Sequence, residues 1–106
     1  FVEDLQNGNT KIEVKTERDI WKTTGNIAVE IRYKGNPSGI STTGSSVWIH
    51  LLSDNDKIVG GYIFSVDYLK QKIIELKEKG KLKLVMGGDF NASQMALIPR
   101  TELFKT

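Results

Sequence analysis

Apolar and polar side chains alternate in two stretches of this chain, and strict alternation is typical of a half-buried β-strand. Residues 12–17 place two aliphatic side chains and a threonine on one face of such a strand, and Glu13 and Lys15 on the other. Residues 26–33 repeat the pattern, with an apolar side chain at every second position. Side chains at positions i and i+2 of a strand are roughly 6–7 Å apart on the same face, so Glu13 and Lys15 are predicted neighbours.

Two further strands are predicted at residues 47–52 and 57–64, where apolar residues dominate and a polar turn separates the two stretches. His50, the only histidine of the chain, lies in the first of them and is expected to be a packed or hydrogen-bonded residue rather than a catalytic base. Residues 18–25 and 34–46 are rich in polar and turn-forming residues, which predicts loops on either side of the strand between them.

After residue 65 the spacing of apolar residues changes to that of a helix. The residues on this apolar stripe are Val66, Leu69, Ile73 and Leu76. Ser65 is a favourable N-cap, and Gly80 favours the end of the helix. Residues 81–86 and 94–98 are then predicted to form strands. This order of strands, helix and strands predicts an α+β (mixed α/β) fold with a central mixed sheet and a flanking helix.

The segment before residue 12 predicts a hairpin, because Asn7-Gly8 is a preferred two-residue turn between strands. With this turn, Asp4 lies opposite Lys11 and shares a strand face with Glu13 and Lys15. A pairing shifted by one residue would turn Asp4 to the other face. The turn type therefore decides whether two carboxylates and an ammonium group meet.

Two carboxylates on one face can hold Mg²⁺, which prefers oxygen ligands and keeps several waters. A bound Mg²⁺ polarises a phosphate and favours hydroxide formation from a bound water, as phosphodiester hydrolysis requires. Lys15 would orient that water or offset charge on the phosphoryl group. The alternative is an exposed strand face on which Lys11, Glu13 and Lys15 form ion pairs that contribute little to stability.

A set of segments spread over most of the chain carries a family resemblance. The segments are Asp4, Glu13-Val14-Lys15, residues 22–30, residues 37–43, Trp48 and residues 87–91. Asp4 followed by Glu13-Val14-Lys15 across a short hairpin resembles the D…(D/E)-x-K signature of the PD-(D/E)XK nuclease superfamily, and the later segments resemble a group of phage and bacterial endonuclease-like proteins within it. That group has an Ala-Asp-Tyr-Trp run where residues 45–48 are Ser-Ser-Val-Trp, so no acidic role is carried over to position 46.

The resemblance implies a restriction-endonuclease-like core and roles at the matching positions. Asp4 and Glu13 would be ligands of Mg²⁺, for which Mn²⁺ can substitute, and the backbone carbonyl of Val14 would be a further ligand. Lys15 would be the catalytic lysine. Since a helix usually precedes this hairpin in the superfamily, the nuclease-like domain is expected to be truncated before Phe1.

Two more acids, Glu17 and Glu30, are additional candidates for the site. The alternative for Glu30 is a structural role, in which it pairs with Arg32 or with solvent. Polar residues of the predicted loops and strand ends are candidates for contacts with a nucleic-acid backbone. They are Lys22, Thr23, Asn26, Ser41, Thr42 and Thr43.

The composition fits one domain over residues 1–106, with 39% hydrophobic residues to form a single core. The net charge of +2 is too small to indicate a nucleic-acid binder by itself, although lysines are dense between residues 70 and 83. The sequence has no cysteine and no long apolar run. These absences predict a cytoplasmic protein without a membrane segment, in a bacterium or a phage-infected host cell.

Together the patterns and the resemblance predict a Mg²⁺-dependent endodeoxyribonuclease that hydrolyses DNA phosphodiester bonds through a metal-activated water. The first alternative is a catalytically silent module of the same fold that binds DNA or completes a larger assembly. The second is an interaction domain without a nucleic-acid role. Symmetric cleavage of a duplex would favour a homodimer.

Overall fold

The computed structural model describes residues 4–5 and 10–104, with side chains from residue 11 onwards. The strands in chain order are β1 (Asp4–Leu5), β2 (Thr10–Arg18), β3 (Asn26–Tyr33), β4 (Asn36–Pro37), β5 (Val47–Asp54), β6 (Lys57–Ser65), β7 (Lys83–Gly87) and β8 (Ser93–Pro99). The helices are α1 (Ile20–Thr24) and α2 (Val66–Glu78). Short 3₁₀ turns occupy Gly39–Ser41, Asp89–Asn91 and Arg100–Glu102. The fold is therefore mixed α+β, as predicted.

The strands form two sheets of four strands each, so the prediction of one central sheet is wrong for the described residues. The first sheet has the order β1-β2-β5-β6, and the second has the order β4-β3-β8-β7. After β2 the chain leaves the first sheet and builds β3 and β4, then returns so that β5 pairs with β2 in parallel. Parallel pairing requires such a long crossover, and here the crossover itself contains strands of the other sheet.

The pairing of β1 with β2 follows the predicted hairpin. The two strands are antiparallel, and Asp4 lies opposite Lys11. The predicted turn at Asn7-Gly8 lies outside the described residues, as does the side chain of Asp4. The backbone pairing of the hairpin is thus confirmed, whereas the contacts of the Asp4 carboxylate stay a prediction.

Helix α2 begins and ends where the sequence predicted. The Ser65 side chain accepts a hydrogen bond from the backbone N–H of Tyr68 at 3.0 Å, which satisfies one of the free donors at the helix start. After the helix, Gly80 adopts a φ of 69°, a conformation that glycine tolerates without a steric penalty. The predicted strands at 26–33, 47–52, 57–64, 81–86 and 94–98 also correspond to observed strands, with ends shifted by a few residues where they differ.

Helix α1 lies where a loop was predicted, and it forms because Trp21 is anchored from a distance. The Trp21 side chain is buried, and its Nε1 donates to the backbone oxygen of Ser53 at 2.8 Å. Gly25 ends the helix with a φ of 74° and donates its N–H to the Trp21 oxygen. Burial of a tryptophan contributes enough to hold a helix that is too short to be stable alone.

The core is formed by apolar side chains from both sheets and from α2. Its members are Trp21, Ile27, Val29, Ile40, Trp48, Leu52, Phe64, Val66, Leu69, Leu76, Ile98 and Leu103. On β3 the buried residues Ile27 and Val29 alternate with others as the pattern predicted, but the register shift between Glu30 and Arg32 ends the alternation and Tyr33 is exposed. The alternate residues therefore face away from the core and are free to form a second surface.

Neither helix among the described residues combines the length and the apolar character that crossing a bilayer requires.

Candidate functional site

A cleft of about 870 Å³ opens between the first sheet and the face of the second sheet that points away from the core. Its polar lining includes Lys15, Glu17, Arg18, Glu30 and His50. Its apolar lining includes Val85, Met95 and Leu97, which are carried by β7 and β8. A cleft of this size with a mainly apolar wall and a few polar groups is typical of a ligand site.

Glu13 and Lys15 are neighbours on one face of β2, as their spacing predicted. The Lys15 Nζ lies 3.9 Å from Oε2 of Glu13, and the two side chains are 50% and 26% exposed. The hydroxyl of Thr43 donates to Oε1 of Glu13 at 3.3 Å. Both distances are long, so the Glu13 carboxylate is only weakly engaged by the described residues. Glu13 and Lys15 are therefore neighbours, and both side chains are at least partly accessible to solvent.

Glu17 joins the two sheets through one carboxylate oxygen. Its Oε1 accepts from the backbone N–H of Ala28 at 2.9 Å and lies 2.7 Å from Nε2 of His50. Among the described residues, β4 pairs with β3 at Arg32 and Tyr33 alone, so no strand covers this edge of β3 at Ala28. The carboxylate therefore satisfies a backbone donor that a neighbouring strand would otherwise bind.

Trp48 determines which nitrogen of His50 carries hydrogen. The indole Nε1 can only donate, and it lies 3.2 Å from Nδ1 of His50. Nδ1 is therefore the acceptor, and Nε2 carries the hydrogen that is donated to Glu17. Since His50 is only 2% exposed, the three side chains form a buried hydrogen-bond chain that ends at the cleft. The expectation that His50 is packed and hydrogen-bonded is confirmed.

Glu30 lies in the cleft wall but is held by two hydroxyl groups. Ser93 donates to its Oε1 at 2.7 Å, and Ser38 donates to its Oε2 at 3.0 Å. The pairing with Arg32 that the sequence suggested is wrong, whereas a structural role for Glu30 agrees with this geometry. Gly39 allows the close approach, because a Cβ at this position would lie 2.2 Å from the backbone oxygen of Glu30.

The residues predicted to contact nucleic acid are scattered over the structure. Asn26 lines the cleft, and Thr43 contacts the candidate acid on β2. Lys22 instead forms an ion pair with Asp54 at 3.0 Å, and the Ser41 hydroxyl donates to a backbone oxygen. The remaining two, which are exposed, are Thr23 and Thr42. The structure therefore brings only part of the predicted set to the site.

The described residues contain no group of three or more histidine, aspartate or glutamate side chains placed to share a metal ion. This finding does not include the predicted pair of Asp4 and Glu13, because the Asp4 side chain lies outside the described residues. The Glu13 side chain is partly exposed, and its carboxylate is of the kind that a hard cation binds. The metal role of the pair, and of the Val14 carbonyl between Glu13 and Lys15, stays a prediction.

Sequence reasoning missed the partners of the two additional acids. Ser38 and Ser93 were not predicted to contact Glu30, and the contact with Ser93 has no local signal, since the two residues are 63 positions apart. The link between Trp48 and His50 had a signal, because residues two apart on a strand share a face. The hydrogen bond between His50 and Glu17 had no such signal in the sequence, because it requires the parallel pairing of β2 with β5.

Comparison of the chain with protein-family models, with curated proteins and with solved structures gives no match.

Proposed function

We propose that this protein is a Mg²⁺-dependent endonuclease that hydrolyses DNA phosphodiester bonds beside strand β2. One observation carries the proposal: the Glu13 carboxylate and the Lys15 ammonium group lie together on one partly exposed face of β2, with Nζ and Oε2 3.9 Å apart. A carboxylate is a ligand for a hard cation, and an adjacent ammonium group is a partner for phosphate. The adjoining cleft has room for a nucleotide.

Glu13 is the metal ligand in this proposal because its carboxylate has the weakest internal contacts among the three acids near the cleft. Glu17 and Glu30 each accept a hydrogen bond of 2.7 to 2.9 Å. Asp4 and the Val14 carbonyl are the other proposed ligands. When bound, Mg²⁺ supplies polarisation of the phosphate and an activated water. Lys15 positions the phosphate and offsets its developing charge.

The second candidate is a catalytically silent module that binds DNA. This alternative is favoured by the contacts of Glu17 and Glu30. Carboxylates that already accept hydrogen bonds from protein donors have less capacity to bind a metal ion. Under this alternative the cleft and its basic side chains hold DNA without cleaving it. Binding would then need neither Mg²⁺ nor Glu13.

Cleavage of supercoiled plasmid by the 106-residue protein in Mg²⁺, with and without EDTA, separates the two candidates. Replacement of Glu13 by glutamine keeps the size of the side chain and an acceptor for Thr43 but removes the charge. We expect Glu13→Gln and Lys15→Met each to reduce the cleavage rate about 100-fold or more. The matched control is Glu78→Gln, because Glu78 is an exposed acid on α2.

No cleavage by the wild-type protein in either Mg²⁺ or Mn²⁺ would refute the nuclease proposal. Cleavage that persists in Glu13→Gln would refute the assigned site. Metal-independent DNA binding that survives Glu13→Gln, without cleavage, would favour the silent module.

A further inference from the structure

Phe90 is fully exposed at the tip of the turn between β7 and β8. Its backbone has a φ of 57° and a ψ of 23°, in the left-handed region that bulky residues rarely occupy. A fully exposed aromatic ring gives no burial energy to offset this conformation. Strained positions and exposed aromatic side chains occur preferentially at functional surfaces, so the turn has the features of a contact site.

A second exposed aromatic ring lies beside this turn. Tyr33 is 47% exposed and pairs with Ser93 across the sheet. The backbone N–H of Lys34 donates to the oxygen of Ala92 at 2.8 Å, which brings the turn after β3 against the turn that carries Phe90. The Lys34 ammonium group lies 5.5 Å from the centre of the Tyr33 ring. Two exposed rings and a cation therefore occupy one end of the second sheet.

We call the surface formed by Tyr33, Lys34 and Phe90 the tip surface. Residues 32–34 and 87–92 carry two cations, Arg32 and Lys34, and one carboxylate, Asp89. The tip surface continues the cleft, because the cleft lining includes Gly87 and Gly88 of the same turn. The sequence neighbours of Phe90 at the tip of this turn, Asp89 and Asn91, are both polar.

We propose that the tip surface binds single-stranded nucleic acid by stacking unpaired bases on Phe90 and Tyr33, with Lys34 facing the phosphates. This inference rests on the proposed function and deepens it, since it names single-stranded or locally opened DNA as the substrate class of the cleft. Stacking needs only the flat face of a base, which every nucleotide has. A base inside a duplex offers that face to its neighbours instead. The polar neighbours of Phe90, Asp89 and Asn91, and the nearby Lys34 ammonium group favour a nucleotide over an apolar protein surface as the occupant.

The test is binding of a fluorescently labelled oligothymidylate of about 12 nucleotides, measured by anisotropy in EDTA so that cleavage cannot interfere. We expect Phe90→Ala and Tyr33→Ala each to weaken binding roughly 5- to 150-fold, the range for loss of one stacked base. The matched control is Ile63→Ala, which removes an exposed apolar side chain from β6 of the first sheet and should leave binding unchanged. Thermal unfolding of each variant verifies that it is folded.

Phe90→Trp adds a readout that separates stacking from general apolar contact. We expect this variant to keep the wild-type affinity and its exposed indole emission to be quenched by the oligonucleotide, whereas Phe90→Leu should bind as weakly as Phe90→Ala. Wild-type affinity in Phe90→Ala or in Phe90→Leu would overturn the inference. So would a wild-type protein that binds no single strand.

Cleavage in Mg²⁺ is measured separately, so the two proposals can fail independently. A protein that cleaves DNA but binds single strands without help from Phe90 would refute the tip surface and leave the nuclease proposal in place. A protein that does not cleave but binds single strands through Phe90 would do the reverse.

Discussion

Replacement of Glu17 by alanine should destabilise the protein more than replacement of any exposed acid. The Glu17 Oε1 is the acceptor for the Ala28 N–H at 2.9 Å and for the His50 Nε2–H at 2.7 Å. Alanine removes this acceptor and leaves both donors without a protein partner. One of them belongs to a histidine that is almost fully buried, and the Trp48 indole prevents it from changing its hydrogen position.

The expected magnitude follows from these two donors. Leaving a buried donor unsatisfied costs about 1–3 kcal/mol. Ala28 is only partly buried, so we assign its N–H the lower value, and His50 the middle of the range. Glu17→Ala should therefore reduce the free energy of unfolding by about 3 kcal/mol, a large share of the roughly 5–15 kcal/mol of a small domain. Glu17→Gln retains an acceptor oxygen and should cost about 1 kcal/mol.

The assay is urea unfolding at pH 7, followed by circular dichroism, with Glu78→Ala as the control for loss of an exposed acid. An unchanged dependence on urea concentration would show that the change is in stability and not in the unfolded state. The reasoning is refuted if Glu17→Ala costs less than about 1 kcal/mol, or if it costs no more than Glu17→Gln. In either case water in the cleft would satisfy the two donors as well as the carboxylate does.

Two further substitutions test local geometry. Gly39→Ala should destabilise the protein by at least about 2 kcal/mol in thermal unfolding, because φ at this position is 56° and the new Cβ would overlap the backbone oxygen of Glu30. The control is Gly44→Ala, which should be nearly neutral because a Cβ at Gly44 would lie in open space. Ser65→Ala should cost about 1 kcal/mol in urea unfolding, because it removes the acceptor for the Tyr68 N–H at the start of α2, and Ser65→Asp should retain the stability. Equal stability of the two variants within either pair would contradict the corresponding prediction.

The elements that the sequence predicted well are those with a complete repeat inside one stretch. Strand β3 occupies residues 26–33 as its alternation indicated, and α2 follows Ser65 as the cap and apolar stripe indicated. Helix α1 was missed because five residues are too few to display a helical repeat. Its stability depends on the contact between Trp21 and Ser53, which are 32 residues apart.

The candidate site also has one part that local sequence predicts and one part that it does not. Glu13 and Lys15 are two positions apart, so strand geometry alone predicts that they are neighbours. The contacts of Glu17 and Glu30 depend on strands that are distant in sequence, and no local pattern indicates them. The same holds for the neighbouring positions of Tyr33 and Phe90, which depend on the pairing of β3 with β8 and on the contact between two turns.

The sequence by itself determined where the longer strands and helix α2 lie, and that Glu13 and Lys15 share a face, whereas strand β4 (Asn36–Pro37) lies in a segment predicted as a loop. Only the tertiary structure decided that the strands divide into two sheets, that a cleft opens between them, and that Glu17 and Glu30 are already occupied. The physical reason is that side-chain patterning selects the buried face of a strand, whereas strand neighbours are chosen by backbone hydrogen bonds that are nearly the same for every residue. Which edges meet is therefore settled when the whole core packs.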